Sequence, residues 1–137
     1  MPLILLMMWV VMMSYVFEPI SDAEMKVIAN SMLEEIKGVC PRLSLPAVGS
    51  SERARLVRTW AWALSSGSVF PRFVYDRAVA SYAASASRDD NPPMPGDILR
   101  HCKLVMERAV SDPELRPTVE KWREARRAYR DAALNGG

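Results

Sequence analysis

The chain has 137 residues, of which 50% are hydrophobic and 25% are charged, and its formal net charge is +2. That length suits one domain with its own core, and the composition argues against global disorder and against collagen-like repeats. Two cysteines are too few for a disulfide scaffold. The small net charge gives no global signature of nucleic-acid binding.

The amino-terminal run is unusual, because residues 1–17 carry no charge and residues 1–13 hold five of the nine methionines. It is short for a transmembrane helix, which needs about 20 apolar residues, and no basic residue precedes it as in a signal peptide. We favour a translation start at Met12 or Met13. A membrane or interfacial anchor and a buried or partner-binding segment stay open as alternatives. Residues 1–19 are therefore treated as an apolar extension before the predicted fold.

The first helix is predicted from a capping box, in which Ser21 is followed three residues later by Glu24. Ile20 and Met25 have the spacing of a hydrophobic staple around that cap. Apolar residues then recur at helical spacing and predict a buried side, and Gly38 is a natural stop. The predicted buried residues are Met25, Ile28, Ala29, Met32 and Ile36.

Two further helices follow a loop over residues 41–51, which contains two prolines and several serines. The second helix is predicted from about Glu52 to Ser66, with Ser51 as its cap. Its apolar stripe consists of Leu56, Val57, Trp60, Ala61 and Leu64. We interpret Trp60 and Trp62 as core and surface-edge residues rather than as stacking platforms. A third helix begins near Pro71, and its core-facing residues are Tyr75, Ala78, Val79 and Tyr82.

The prolines within residues 87–96 exclude regular structure there, and Asp97 opens a fourth helix. Its core positions are Ile98, Cys102, Val105 and Ala109. Breaks at Pro113 and Pro117 precede a last helix over 118–134. No segment alternates long enough to predict a strand. The predicted fold is all-α, a compact bundle of about four helices over residues 20–110 followed by a separate basic helical tail over 111–137.

The sequence holds little that could perform catalysis. His101 and Cys102 are helical neighbours that point about 100° apart, so they cannot act as a base–nucleophile pair. Cys40 with these two residues lacks the ligand spacing of a zinc site, and Asp89–Asp90 lacks the further carboxylates of a calcium loop. No glycine-rich phosphate loop occurs. We expect no enzymatic activity, no catalytic residue, no metal, no cofactor and no small-molecule substrate.

The tail carries the clearest binding signal. Residues 116–130 contain six basic residues against two acidic ones, with two aromatic residues interleaved at helical spacing. This pattern is typical of a helix that docks on a partner protein or lies along a phosphate backbone. A solvated helix that packs its aromatic residues on its own core fits the pattern equally well. The candidate partner-binding residues are Trp122, Arg123, Arg126, Arg127, Tyr129 and Arg130.

The order of features over residues 21–105 resembles the small phage proteins that load or inhibit the replicative DNA helicase, and related phage and prophage replication-accessory proteins. The resemblance consists of a tryptophan-bearing helix with Trp60 and Leu64, an Ala78-Val79-x-x-Tyr82 helix, and Pro92-Pro93 leading to Ile98. It implies a helical amino-terminal domain and a mobile carboxy-terminal segment that contacts the helicase. Carried onto this chain, the contact segment spans residues 113–134. Its helical and basic character departs from a simple disordered tail.

These observations predict a cytoplasmic, non-enzymatic DNA-replication accessory protein that binds a replicative helicase in a phage or prophage context. The helicase would be loaded or inhibited by protein binding alone. One alternative is a small DNA-binding helical module that uses the basic tail. A further alternative is a membrane-anchored helical protein that uses residues 1–17, although we do not expect membrane association.

Overall fold

A computed structural model of the chain describes residues 19–86 and 91–135. The apolar amino-terminal run, with Met12 and Met13, and the Asp89–Asp90 pair lie outside these residues. Every regular element within the described ranges is an α-helix, which confirms the predicted all-α class. The helices are α1 (Asp22–Val39), α2 (Ser51–Ser65), α3 (Arg72–Ser85), α4 (Pro95–Ser111) and α5 (Arg116–Asn135).

Helix α1 begins as the capping box predicts. The Glu24 backbone N–H donates to Ser21 Oγ at 3.1 Å, which satisfies one of the unpaired amides of the first turn. All five predicted core residues of α1 are buried, and Leu33 joins them. The helix does not stop at Gly38: it continues to Val39, and the Cys40 N–H donates to the Ile36 carbonyl at 2.7 Å. The expected end was therefore early by one residue.

Helix α2 is capped by Ser50 rather than by the predicted Ser51. Ser50 Oγ accepts from the Arg53 N–H at 3.1 Å and donates to the Ala47 carbonyl at 2.6 Å. Gly49 precedes it with φ +86°, a backbone conformation that favours glycine. The turn at Gly49 thus sets the start of α2. The sequence alone did not show this turn, so it could not distinguish Ser50 from Ser51 as the N-cap.

Arg53 is buried and joins α1 to α2 and to the loop between them. Only 5% of this residue is exposed. Its guanidinium donates to Asn30 Oδ1 and to the Pro46 carbonyl, each at 3.1 Å, and it pairs with Glu34. The fixed fork of donors on an arginine suits such a three-way junction.

Helix α3 begins beside the predicted Pro71, whereas α4 and α5 each begin two residues earlier than the sequence predicts. Pro71 is the N-cap residue of α3. Helix α4 starts at Pro95, two residues before the expected Asp97, whose carboxylate accepts from the Met94 N–H at 2.8 Å. Helix α5 includes Pro117, which was expected to be a break. Proline is tolerated in the first turn of a helix because the N–H it lacks would be unpaired there.

Residues Ile20–Glu107 form one compact unit, in which α1 packs against both α2 and α3. Large residues from all four helices are fully buried in it, among them Ile36, Leu64, Tyr75 and Ile98. Pro19 and residues 108–135 fall in a second unit. This second unit contains α5.

Candidate partner-binding site

Helix α5 has a buried side formed by Val119 and Trp122. Trp122 is 7% exposed, and the Arg126 guanidinium carbon lies 5.7 Å from the centre of its ring. That distance is within the range of a cation–π interaction, which fixes Arg126 along the helix. Trp122 therefore belongs to the buried side of α5, and little of its ring is available to a partner.

Three arginines form a stripe along the exposed surface of α5, which we call the arginine stripe: Arg123, Arg127 and Arg130. Their spacing of four and three residues places them within about 60° around the helix. In the part of the chain that the structure describes, no ion pair or hydrogen bond holds these three guanidinium groups. The stripe is thus a row of positive charges with donors available for carboxylates or phosphates.

Tyr129 lies seven residues after Trp122, so it continues the line of Trp122 beyond the buried part of α5. It is 52% exposed. Of the six candidate residues, the structure therefore places the three stripe arginines and Tyr129 at the surface. It buries Trp122 and stacks Arg126 on that ring.

The His101–Cys102 region is organised by packing between helices. Burial raises the pKa of the Cys102 thiol to about 12, so this thiol is not a nucleophile near neutral pH. A hydrogen bond of 2.9 Å joins His101 Nδ1 to Ser81 Oγ on α3, and the Tyr82 ring meets the imidazole edge-to-face at 5.8 Å. The Asp97 carboxylate, four residues before His101 on α4, accepts from the Met94 amide and from Arg100.

Metal binding has no candidate in the described ranges, where no group of three or more His, Cys, Asp or Glu residues is arranged to hold an ion. In those same ranges, no helix is both long enough and apolar enough to span a membrane.

One surface feature was not predicted, an open groove of about 240 Å³ between α1 and α2, which we call the Trp62 groove. The sequence does hold a signal for its exposed tryptophan. Trp60 and Trp62 are two residues apart on one helix, so burial of Trp60 turns Trp62 outward. The partner helix across the groove could not be inferred from that spacing. The groove is lined by Asp22, Met25, Lys26, Arg58, Ala61, Trp62 and Ser65.

In comparisons with known proteins, the chain matches no protein family, no curated protein and no solved structure. The resemblance to phage helicase loaders and inhibitors therefore stays an expectation from the sequence.

Proposed function

We propose that this chain is a non-enzymatic accessory protein of DNA replication that binds a replicative helicase through α5 in the cytoplasm of a phage-infected or prophage-bearing cell. The observation that carries the proposal is the arginine stripe, three surface arginines that no described group neutralises. The order of Trp60, Tyr82 and Pro92-Pro93 along the chain supports the choice of partner through the family resemblance.

The mechanism that fits this surface is protein binding. Arginine and tyrosine are enriched among the residues that dominate protein–protein affinity, and the arginine stripe lies beside the half-exposed Tyr129. An acidic surface on the helicase would pair with the stripe and receive the tyrosine ring. The bound protein would hold or open the helicase ring, and ATP hydrolysis would belong to the helicase.

The test is binding of the full chain to the hexameric replicative helicase encoded in the same genome. Replacing Arg123, Arg127 and Arg130 by glutamate should reduce affinity by at least a hundredfold, because each lost charge contact becomes a repulsion. The matched control is Lys121→Glu, an exposed cation on the opposite side of α5. Circular dichroism checks that both variants fold. No complex with the unaltered chain, or equal loss in the control, contradicts the proposal.

The arginine stripe also favours a second candidate function, contact of α5 with DNA phosphates. Three phosphate contacts on duplex DNA predict a slope of about −2.7 in a plot of log affinity against log salt concentration. Replacing the three arginines by glutamine should flatten that slope and weaken binding to all sequences alike. Salt-independent or undetectable duplex binding removes this candidate and leaves the helicase proposal unaffected.

A further inference from the structure

The exposed side of α2 carries an aromatic ring beside two cations. Trp62 is 73% exposed, and within the described residues no other ring or cation stacks on it. Arg55 and Arg58 lie seven and four residues before Trp62, which places all three within about 60° around the helix. Both arginines are exposed. This side of α2 therefore presents a free π-face next to two positive charges.

The Trp62 groove adds a third cation from the opposite wall. Lys26 of α1 and Arg58 of α2 both line the groove, and the buried residues Met25 and Ala61 add apolar surface to the lining. Asp22 is the acidic residue of the lining. A ligand that enters meets apolar surface and an aromatic face, with one ammonium and one guanidinium group at the edges.

We propose that the Trp62 groove binds an unpaired nucleotide of a single-stranded nucleic acid. For Trp62 this proposal replaces the interpretation from the sequence, which did not regard it as a stacking platform, because the ring is exposed and lies in a groove with two cations. The base stacks on Trp62, and the adjoining phosphates pair with Arg58 and Lys26. Arg55, one turn further along α2, receives the next phosphate. Stacking on an aromatic side chain combined with cations along the backbone is the general mode by which single strands are bound without sequence preference.

The surface favours a nucleotide over an acidic peptide because of where the tryptophan lies. An apolar side chain of a peptide would gain most from an enclosed pocket, whereas the Trp62 ring stands open to solvent above an open groove. A nucleotide offers the flat face of its base to that ring, and its phosphate can pair with the cations of the lining. This inference concerns α1 and α2 and does not depend on the proposed role of α5.

The first experiment measures binding of the full chain to a fluorescently labelled oligothymidylate at low salt, by anisotropy. Trp62→Ala should weaken binding by about fivefold to a hundredfold, the range expected for loss of one stacked base. Trp62→Phe should restore part of the affinity, since a smaller ring still stacks. The matched control is Val27→Ala, another exposed apolar residue of this unit, which should leave affinity unchanged.

The second experiment tests the role of the cations by measuring how the affinity for oligothymidylate depends on salt concentration. Lys26→Gln and Arg58→Gln should each reduce the slope of log affinity against log salt by about 0.7, the value for one phosphate of a single strand. Lys103→Gln and Arg42→Gln remove exposed cations elsewhere in the same unit and should change the salt slope less. Asp22→Asn should strengthen binding, because it removes the acidic residue of the lining.

The same variants separate this groove from α5. The effect of Trp62→Ala should persist when Arg123, Arg127 and Arg130 are glutamine, and it should vanish on duplex DNA, whose bases are already stacked. Undetectable binding of oligothymidylate, or equal affinity with and without Trp62, overturns the proposal. Binding of polyglutamate that depends on Trp62, in the absence of oligothymidylate binding, overturns it in favour of an acidic protein partner.

Discussion

Replacing Arg53 by methionine tests the junction between α1, α2 and their connecting loop. Methionine keeps an unbranched apolar stem and removes the guanidinium. The substitution abolishes the contacts with Asn30 and Pro46, both at 3.1 Å, and the ion pair with Glu34. The Glu34 side chain is 52% exposed and is solvated when its partner is lost, so the ion pair itself adds little.

The two remaining hydrogen bonds come from a charged donor that is itself buried. Bonds of that kind contribute about 1.5–3 kcal/mol each, and removal of the buried charge offsets part of the loss. We expect Arg53→Met to lower the free energy of unfolding by about 2–3 kcal/mol. With a denaturant slope of about 2 kcal/mol/M, this shifts the urea midpoint down by about 1–1.5 M.

The assay is urea unfolding of the full chain followed by far-ultraviolet circular dichroism. Arg55→Met removes an exposed arginine from the same helix and should stay within about 0.5 kcal/mol of the unaltered chain. Glu34→Gln keeps an oxygen acceptor for Arg53 and should have a small effect. If Arg53→Met unfolds at the same urea concentration as Arg55→Met, the junction does not stabilise the fold.

Three further outcomes follow from burial and from the helix caps. Trp60→Ala should cost about 3–5 kcal/mol in unfolding free energy, because Trp60 is 6% exposed, whereas Trp62→Ala should cost about 0.5 kcal/mol or less; similar urea midpoints for the two variants would contradict their assignment to opposite sides of α2. Cys40 and Cys102 are both buried, so an aromatic disulfide reagent at pH 8 should label neither in the native protein and both in guanidinium chloride; rapid native labelling, located by mass spectrometry, would contradict this. The Met94 N–H and Arg100 hold the pKa of Asp97 below its ordinary value, so the carboxylate stabilises the fold above about pH 4 and loses that contribution as pH falls through the lowered pKa. Asp97→Ala should therefore have a lower Tm than the unaltered chain at pH 7, and the difference in Tm between the two proteins should become smaller toward pH 2. A difference in Tm that does not change with pH would refute the role of the charge.

The sequence predicted correctly those features of the fold that depend only on neighbouring residues, such as helix caps and the buried side of a helix. The capping box fixed the start of α1 because Ser21 and Glu24 need no distant partner. The helical spacing of Trp60, Ala61 and Leu64 predicted the buried side of α2 for the same reason. Where a start depends on proline tolerance in a first turn, as at Pro95 and in α5, the predicted boundary was late by two residues.

Burial of Arg53 was not predicted, although its position carries a signal. Arg53 lies seven residues before Trp60, on the same side of α2. Composition assigns an arginine to solvent, and only the acceptors on α1 and the connecting loop make its burial favourable. These acceptors lie 23 and 7 residues away in sequence, at positions that no helical periodicity connects.

The candidate site on α5 was predicted in composition but not in detail. Its basic character follows from counting, and the grouping of Arg123, Arg127 and Arg130 follows from spacing. The difference in exposure between the buried Trp122 and the half-exposed Tyr129 could not be predicted from spacing, because both residues occupy nearly the same line along the helix. Only contacts outside α5 distinguish them.

The two sides of α2 have consequences for how this protein can change. Arg53, Trp60 and Leu64 maintain the scaffold on one side, while Arg55, Arg58 and Trp62 face solvent on the other. We expect substitutions on the outer side to have a small effect on folding, so the outer surface can diverge among descendants of this chain while the scaffold stays the same. The outer side of α2 is also the natural place to graft a new recognition surface, since selection for affinity there would not compete with selection for stability.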